Sequence, residues 1–344
     1  MTDQDVATKA RQLHEEILVF DGHNDTPVER THRGEAPFAW QQQDPSLHMD
    51  LPRMREGGFD GGWFIVGNGP TADVWTTIQR TMAQIESAPA DLRLALTEAE
   101  VRAAHRDGQV AVVMAIEGAA RWLDGQVDRI HLYHRLGVRL LGITHGEGGD
   151  QDGMLQGTAA RFGACTADER VSARQNDQGL TDFGRQVLAT SNELGIVTDL
   201  AHINDRAYYE VLEQSSLPVV MSHTAVFELG RHWRCLTDDQ LRALADAGGV
   251  MGIAFVPFFI DQEAASLDRL VDHIAYVAEL VGVEHVGIGS DYDGMGAIVP
   301  VPGDISRLPD ITVALMQRGF SDDEIQMIWG GNFLRVMAAA DAVR

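Results

Sequence analysis

Residues 17–27 read Ile17-Leu18-Val19-Phe20-Asp21-Gly22-His23-Asn24-Asp25-Thr26-Pro27, an apolar strand that runs straight into a polar tip. Side chains alternate along an extended chain, so His23 and Asp25 aim an imidazole and a carboxylate at one point. A single His-x-Asp is common in surface turns. What gives this one weight is recurrence, because apolar runs ending in a ligand-type residue return along the chain. Glu117 follows the run 109–116, His145 follows 138–144, His202 follows 196–201, His223 follows 218–222 and Asp291 follows 284–290.

Two further apolar runs, 61–67 and 249–256, bring the strands to about eight. Helical patterning separates most of them, at 7–17, 74–87, 97–104, 127–136, 181–194, 205–214, 238–247 and 267–281, and Ser321-Asp322-Asp323-Glu324 is a capping box for the last helix. This alternation predicts a TIM-type (β/α)8 barrel, one domain over residues 1–344 with decorated loops on its C-terminal face. An open doubly wound sheet would place its site at one switch point. Ligand types at six strand ends favour the barrel, where all carboxyl ends converge. Residues 29–49 read as a long polar loop at that face, and 146–178 as a cover over its mouth.

The chain of 344 residues carries 27 basic and 51 acidic side chains, a net charge of −24. Such a surface argues against nucleic acid or anionic lipid as partner. Cys165 and Cys235 form no CxxC, so a reducing, cytoplasmic setting without a disulfide framework is expected. The polar start and end predict neither signal peptide nor membrane span nor lipid anchor.

Imidazole and carboxylate donors without thiolate suit zinc, or another borderline divalent ion, in a hydrolytic site. Glu117 is the natural bridge between a His23/Asp25 pair and a His202/His223 pair. Asp291 is placed to shuttle protons and His145 to stabilise an oxyanion. The remaining histidines, His14, His48 and His273 among them, read as structural or solvated. Alternation points Asp199 elsewhere, Asp293 reads as turn chemistry, and Arg234 is either a solvated arginine or a substrate anchor.

These residues resemble the membrane dipeptidase (renal dipeptidase) family of zinc peptidases, within the amidohydrolase-like barrels. The likeness lies in Asp21-Gly22-His23-Asn24-Asp25, Ile116-Glu117-Gly118, Thr144-His145, Asp199-Leu200-Ala201-His202, Ser222-His223 and Gly289-Ser290-Asp291-Tyr292-Asp293-Gly294. It extends to residues 178–184 and 331–336, nearly end to end. The resemblance implies one zinc ion on His23, Asp25 and Glu117, a second on Glu117, His202 and His223, and a hydroxide bridging them. It also implies that His145 meets the tetrahedral oxygen, Arg234 the substrate carboxylate, and Asp291 the free amine and the travelling proton.

The chain departs from the family at Gly146-Glu147-Gly148-Gly149-Asp150, where an asparagine is usual, and around Phe255, where animal members carry a substrate-contacting tyrosine. Phe255 is expected among the substrate contacts. The reading that follows is a dipeptidase for small dipeptides, with a D-residue admissible at the C-terminal position. Hydrolysis of an N-acyl amino acid or a lactone is the alternative at the same centre, and a catalytically silent metal-dependent binding protein is the alternative of another class. Homodimerisation is expected from the family alone.

Overall fold

The computed structural model describes residues 2–32, 40–68, 73–145, 155 and 178–344. Among them lie β1 (Phe20–Asn24), β2 (Gly61–Gly67), β3 (Leu92–Leu94), β4 (Val110–Ile116), β5 (Val138–Gly142), β6 (Val197–Asp199), β7 (Val220–Thr224), β8 (Val250–Ile253) and β9 (Val286–Ile288). All pair in parallel in the order β1-β2-β4-β5-β6-β7-β8-β9, with β3 added beside β4. The sheet curls until the end of β1 meets the chain beyond β9. There Asn24 bridges Tyr292, Asp25 N–H donates to Tyr292 O (2.8 Å) and Asp291 N–H donates to His23 O (3.0 Å). The buried Asp21 carboxylate seals the seam, accepting from Ser290 N–H at 2.7 Å and Ser290 Oγ–H at 2.8 Å. The architecture is the expected (β/α)8 barrel.

Alternation sorts each strand between two cores. In β4, Ala111, Val113 and Ala115 join an inner cluster with Phe20, Trp63, Leu140, Val197, Val220 and Val250, whereas Val112, Met114 and Ile116 pack outward among helix residues. The small inner residues leave room for Phe333 of the last helix, Asn332–Asp341. Trp63 stands edge-on to Phe20 (5.3 Å) and to Phe333 (5.2 Å), and a Cβ at Gly22 or Gly287 would lie 2.7 Å from the Phe333 ring. Each ring buried this way stabilises the fold by about 1.5–3 kcal/mol. The base of the barrel is therefore packed solid, and chemistry is left to the opposite face.

The structure departs from the expected elements in short ones and in one helix of eleven residues. β3 and the helices Leu51–Glu56 and Leu308–Arg318 were not foreseen, and the predicted loop 29–49 begins inside the helix Thr26–His32. Its seven residues are too few and too polar to display a period, yet Thr26, Pro27, Val28 and Arg30 are buried. The predicted cover, 146–178, lies outside the described residues except for Leu155 and Gln178. No described helix is long and apolar enough to cross a membrane.

His14 ties the first helix, Asp3–Glu16, to the barrel. Its Nε2–H donates to Gly57 O (2.8 Å), and its Nδ1 accepts from Thr312 Oγ1 (2.7 Å), which in turn accepts from Trp329 Nε1–H (2.7 Å). Burial lowers the imidazole pKa from 6.5, so the folded chain holds it neutral where the unfolded chain would protonate it. Its contribution is complete above about pH 6.5 and declines as pH falls below that value, by at most about 1.4 kcal/mol per unit. Urea unfolding at pH 7.5 and 5.5 should show a larger loss for the native chain than for His14→Gln; equal losses would remove His14 from the acid response.

Candidate metal centre

Glu117 continues the inner row of β4 and stands at the middle of the open face. Its Oε1 lies 2.9 Å from His202 Nε2, 3.6 Å from His223 Nε2 and 3.9 Å from His23 Nε2, while Oε2 is 3.6 Å from His145 Nε2. His23 Nε2 is 3.1 Å from Asp25 Oδ2 and 4.0 Å from Asp291 Oδ1; His202 Nε2 is 3.1 Å from His223 Nε2. The seven residues read from six strand ends thus converge, and Arg234 joins them with Nη2 3.1 Å from His223 Nε2.

Strict alternation would not have produced this. His23 shares parity with Val19, which packs outward, but the pairing of β1 with β2 slips between Asp21 and Asn24, and beyond the slip His23 and Asp25 face inward. β7 behaves alike. Val220 lies inside and Met221 outside, the register with β8 shifts between Met221 and Thr224, and His223 reaches the centre.

Several residues that hold the centre escaped the sequence reading. Asp199 shares the inner parity of Val197 and lies beneath the site, correcting the expectation that it points away. Its carboxylate accepts from Ser222 Oγ–H (2.6 Å), Ser222 N–H (2.8 Å) and Ala201 N–H (3.0 Å), and Ser222 Oγ lies 2.9 Å from His223 Nδ1. This chain sets the His223 tautomer with the Nε2 lone pair facing the centre. Asn68, just past β2, donates to Asp25 Oδ1. Asp293 does more than shape a turn. His48 N–H (2.6 Å) and Thr26 Oγ1–H (2.7 Å) donate to its carboxylate, and its own N–H donates to His48 Nδ1 (2.9 Å).

That clamp holds a strained segment. Asp291 (φ 62°), Asp293 (φ 65°) and, across the site, His202 (φ 64°) all occupy the left-handed region, at a cost on the order of 1–3 kcal/mol each. A Cβ on Gly294 would collide with the carboxylates of both Asp25 and Asp291, so a side chain there would displace both from the centre. Phe255 is corrected too. It is fully buried and packs edge-on against Tyr292 (5.3 Å), while the short helix Pro257–Ile260 brings Phe259 to the pocket wall instead.

The electrostatics suit a cation. Burial disfavours charge on His23, yet the facing carboxylates of Glu117, Asp25 and Asp291 outweigh it and raise the imidazole to about 10, so the field calls for positive charge at this point. Burial and then Arg234 lower His202 to about 3, and burial holds His223 well below its ordinary value, so both offer neutral lone pairs. Burial pushes Asp291 up to about 8. The Glu117 carboxylate is fully buried with its charge facing three imidazoles, an arrangement that costs free energy unless positive charge meets it. His23, Asp25 and Glu117 fit one ion, and Glu117 with His145 and His202 gathers a second group.

A (β/α)8 barrel with imidazoles and carboxylates gathered at the C-terminal ends of its strands has the layout of a metal-dependent hydrolase. More narrowly, the chain belongs to the membrane dipeptidase family, peptidase family M19, whose model matches residues 7–344. It is 31% identical over 361 residues to dipeptidase VerJ of Clonostachys rogersoniana, spanning 98% of this chain and 88% of that one. A metallopeptidase from Rhodobacter sphaeroides, solved with a phosphinate mimic of the dipeptide L-Ala-D-Ala, is 27% identical with a TM-score of 0.80, over 94% of this chain and 99% of the other. PvdM from Pseudomonas aeruginosa, 22% identical with a TM-score of 0.82 over 99% and 100% of the two chains, bears on the fold alone.

Proposed function

We propose that this chain is a binuclear zinc dipeptidase acting on small free dipeptides, with a D-residue accepted at the C-terminal position. The observation that carries the reading is Glu117 Oε1, a buried carboxylate oxygen with three imidazole nitrogens, His23, His202 and His223 Nε2, within 4 Å of it. His23, Asp25 and Glu117 would hold one ion, and Glu117, His202 and His223 the other. Nitrogen and oxygen donors without thiolate suit zinc. Bound there, a pair of ions supplies Lewis-acid polarisation and acidifies water.

The chain's own groups do the rest. Asp291, its side chain 15% exposed at the pocket, takes the proton of the attacking water, returns it to the leaving nitrogen and meets the substrate amine. His145, 28% exposed beside Glu117, donates to the oxygen that gains charge. Arg234 is buried with a guanidinium Nε–H that meets no acceptor, and the substrate carboxylate is its partner. Recognition of both termini explains why a dipeptide fits and a longer peptide does not. The dipeptide-mimic complex of the Rhodobacter relative supports the substrate class and the L,D pairing.

The test is metal content together with turnover of L-Ala-L-Ala, L-Ala-D-Ala and their N-acetyl forms, on chelated and zinc-restored protein. We expect about two zinc ions per chain, cleavage restored by zinc, and none of the acetylated peptides. Full turnover by chelated protein would overturn the reading; equal turnover of acetylated substrates would move the substrate class to N-acyl amino acids.

A further inference from the structure

We propose that His273, on the helix Leu267–Val281 outside the barrel, is a positioning residue that locks Arg234 and Phe259 into one rigid unit and so sets the preference for a free C-terminal carboxylate. The proposal rests on the reading of Arg234 as the carboxylate anchor.

Arg234 and Phe259 come from different segments. Arg234 sits in the loop that follows β7, and the stem of that loop is closed by a parallel bridge between Val226 and Leu236, with Phe227 N–H donating to Leu236 O (2.8 Å) and Leu236 N–H to Ala225 O (2.9 Å). Inside the stem, Thr224 Oγ1–H donates to Arg234 O and Arg234 N–H donates to His232 Nδ1 at 3.2 Å. Phe259 sits on the short helix that follows β8, its ring 5.8 Å from the Arg234 guanidinium carbon. That distance allows a cation–π contact, which is weak and does not by itself fix the two segments.

One imidazole spans them. His273 is fully buried; its Nδ1 accepts from Val226 N–H at 3.0 Å and its Nε2–H donates to Ile260 O at 2.8 Å. The first bond grips the stem that carries Arg234, the second the residue next to Phe259. Other contacts follow the same line. Cys235 Sγ lies 3.6 Å from Phe259 O, Gln262 Nε2–H donates to Gly230 O (3.2 Å) and Arg231 O (3.0 Å), and a Cβ on Gly230 would collide with Phe259 O. Besides these direct contacts, His273 ties the two segments from a third element, the helix that packs against both. No atom of His273 is among the groups lining the pocket. It acts through Arg234 and Phe259, so its loss should weaken substrate capture and leave the metals and the proton shuttle alone.

The test compares Ala-Ala with Ala-Ala amide, as kcat/KM on zinc-loaded full chain, in the native protein, His273→Leu, Gly230→Ala and Arg234→Met. Gly230→Ala separates the segments by steric pressure instead of by a lost bond, so it decides the matter where His273→Leu does not fold. A charge-assisted anchor predicts that the native enzyme prefers the acid by about 10–100-fold. In both His273→Leu and Gly230→Ala the preference should fall towards unity, through a KM for the acid raised about tenfold, with kcat within about threefold of native and zinc content unchanged. A native acid preference in the folded variants, alongside its loss in Arg234→Met, would overturn the role of His273 and leave the anchor standing. A preference that survives Arg234→Met would instead overturn the anchor itself, and the proposal with it.

Discussion

Asp291→Asn is expected to lower kcat by about 10²–10⁴-fold while zinc content stays unchanged. Asparagine has the size of aspartate and keeps a carbonyl oxygen, but it cannot carry a proton between the attacking water and the leaving nitrogen. Asp291 stands 4.0 Å from His23 Nε2, on the pocket side of the triads proposed to hold the ions. Its backbone is locked in the left-handed region between the seam to His23 and the Asp293 clamp, so the substitution changes the chemistry and not the placement. Asparagine also tolerates that backbone better than most residues. Stopped assays with parallel metal analysis check the point. Unchanged turnover would remove Asp291 from the mechanism, and loss of zinc would make it a ligand.

The second large effect concerns Glu117. Glu117→Gln should reduce bound metal below about one ion per chain and abolish zinc-restored turnover, because the amide withdraws the one negative charge that both triads share. Losing a group that merely supports a ligand weakens metal affinity by about 10–100-fold, and loss of the shared ligand should exceed that. Chelator competition followed by metal analysis measures it. Two ions retained at native affinity would mean that the sites stand apart and that Glu117 bridges nothing. Burial of Glu117 directly after β4 makes compensation by side-chain movement costly, since its inner neighbours Val113 and Ala115 are fully enclosed.

Much of this was readable before any coordinates. Val110 to Ile116 is apolar throughout because both faces of a barrel strand are covered, and a carboxylate straight after it needs a charged partner. The helices Val74–Ser87, Asp205–Gln214 and Leu267–Val281 agree with the expected bounds, since each is at least ten residues long with a polar cap, at Asp73, Asn204 and Ser266. Short elements such as Leu92–Leu94 and Thr26–His32 left no such trace.

Residue type and order along the chain were enough to pick out the residues that the fold brings together at the open face, because a candidate ligand set is local chemistry repeated at strand ends. The aim of those donors was another matter. Alternation assigns His23 and His223 the wrong face, and only slips in the ladder, which arise when eight tilted strands close on one another, turn them inward. Asp199 beneath the histidines, Asp293 gripping His48, Phe259 replacing Phe255 at the wall and His273 joining two loops all depend on partners from 13 to 267 residues away. Such contacts follow from how the layers pack in three dimensions, and no periodicity in the chain records them.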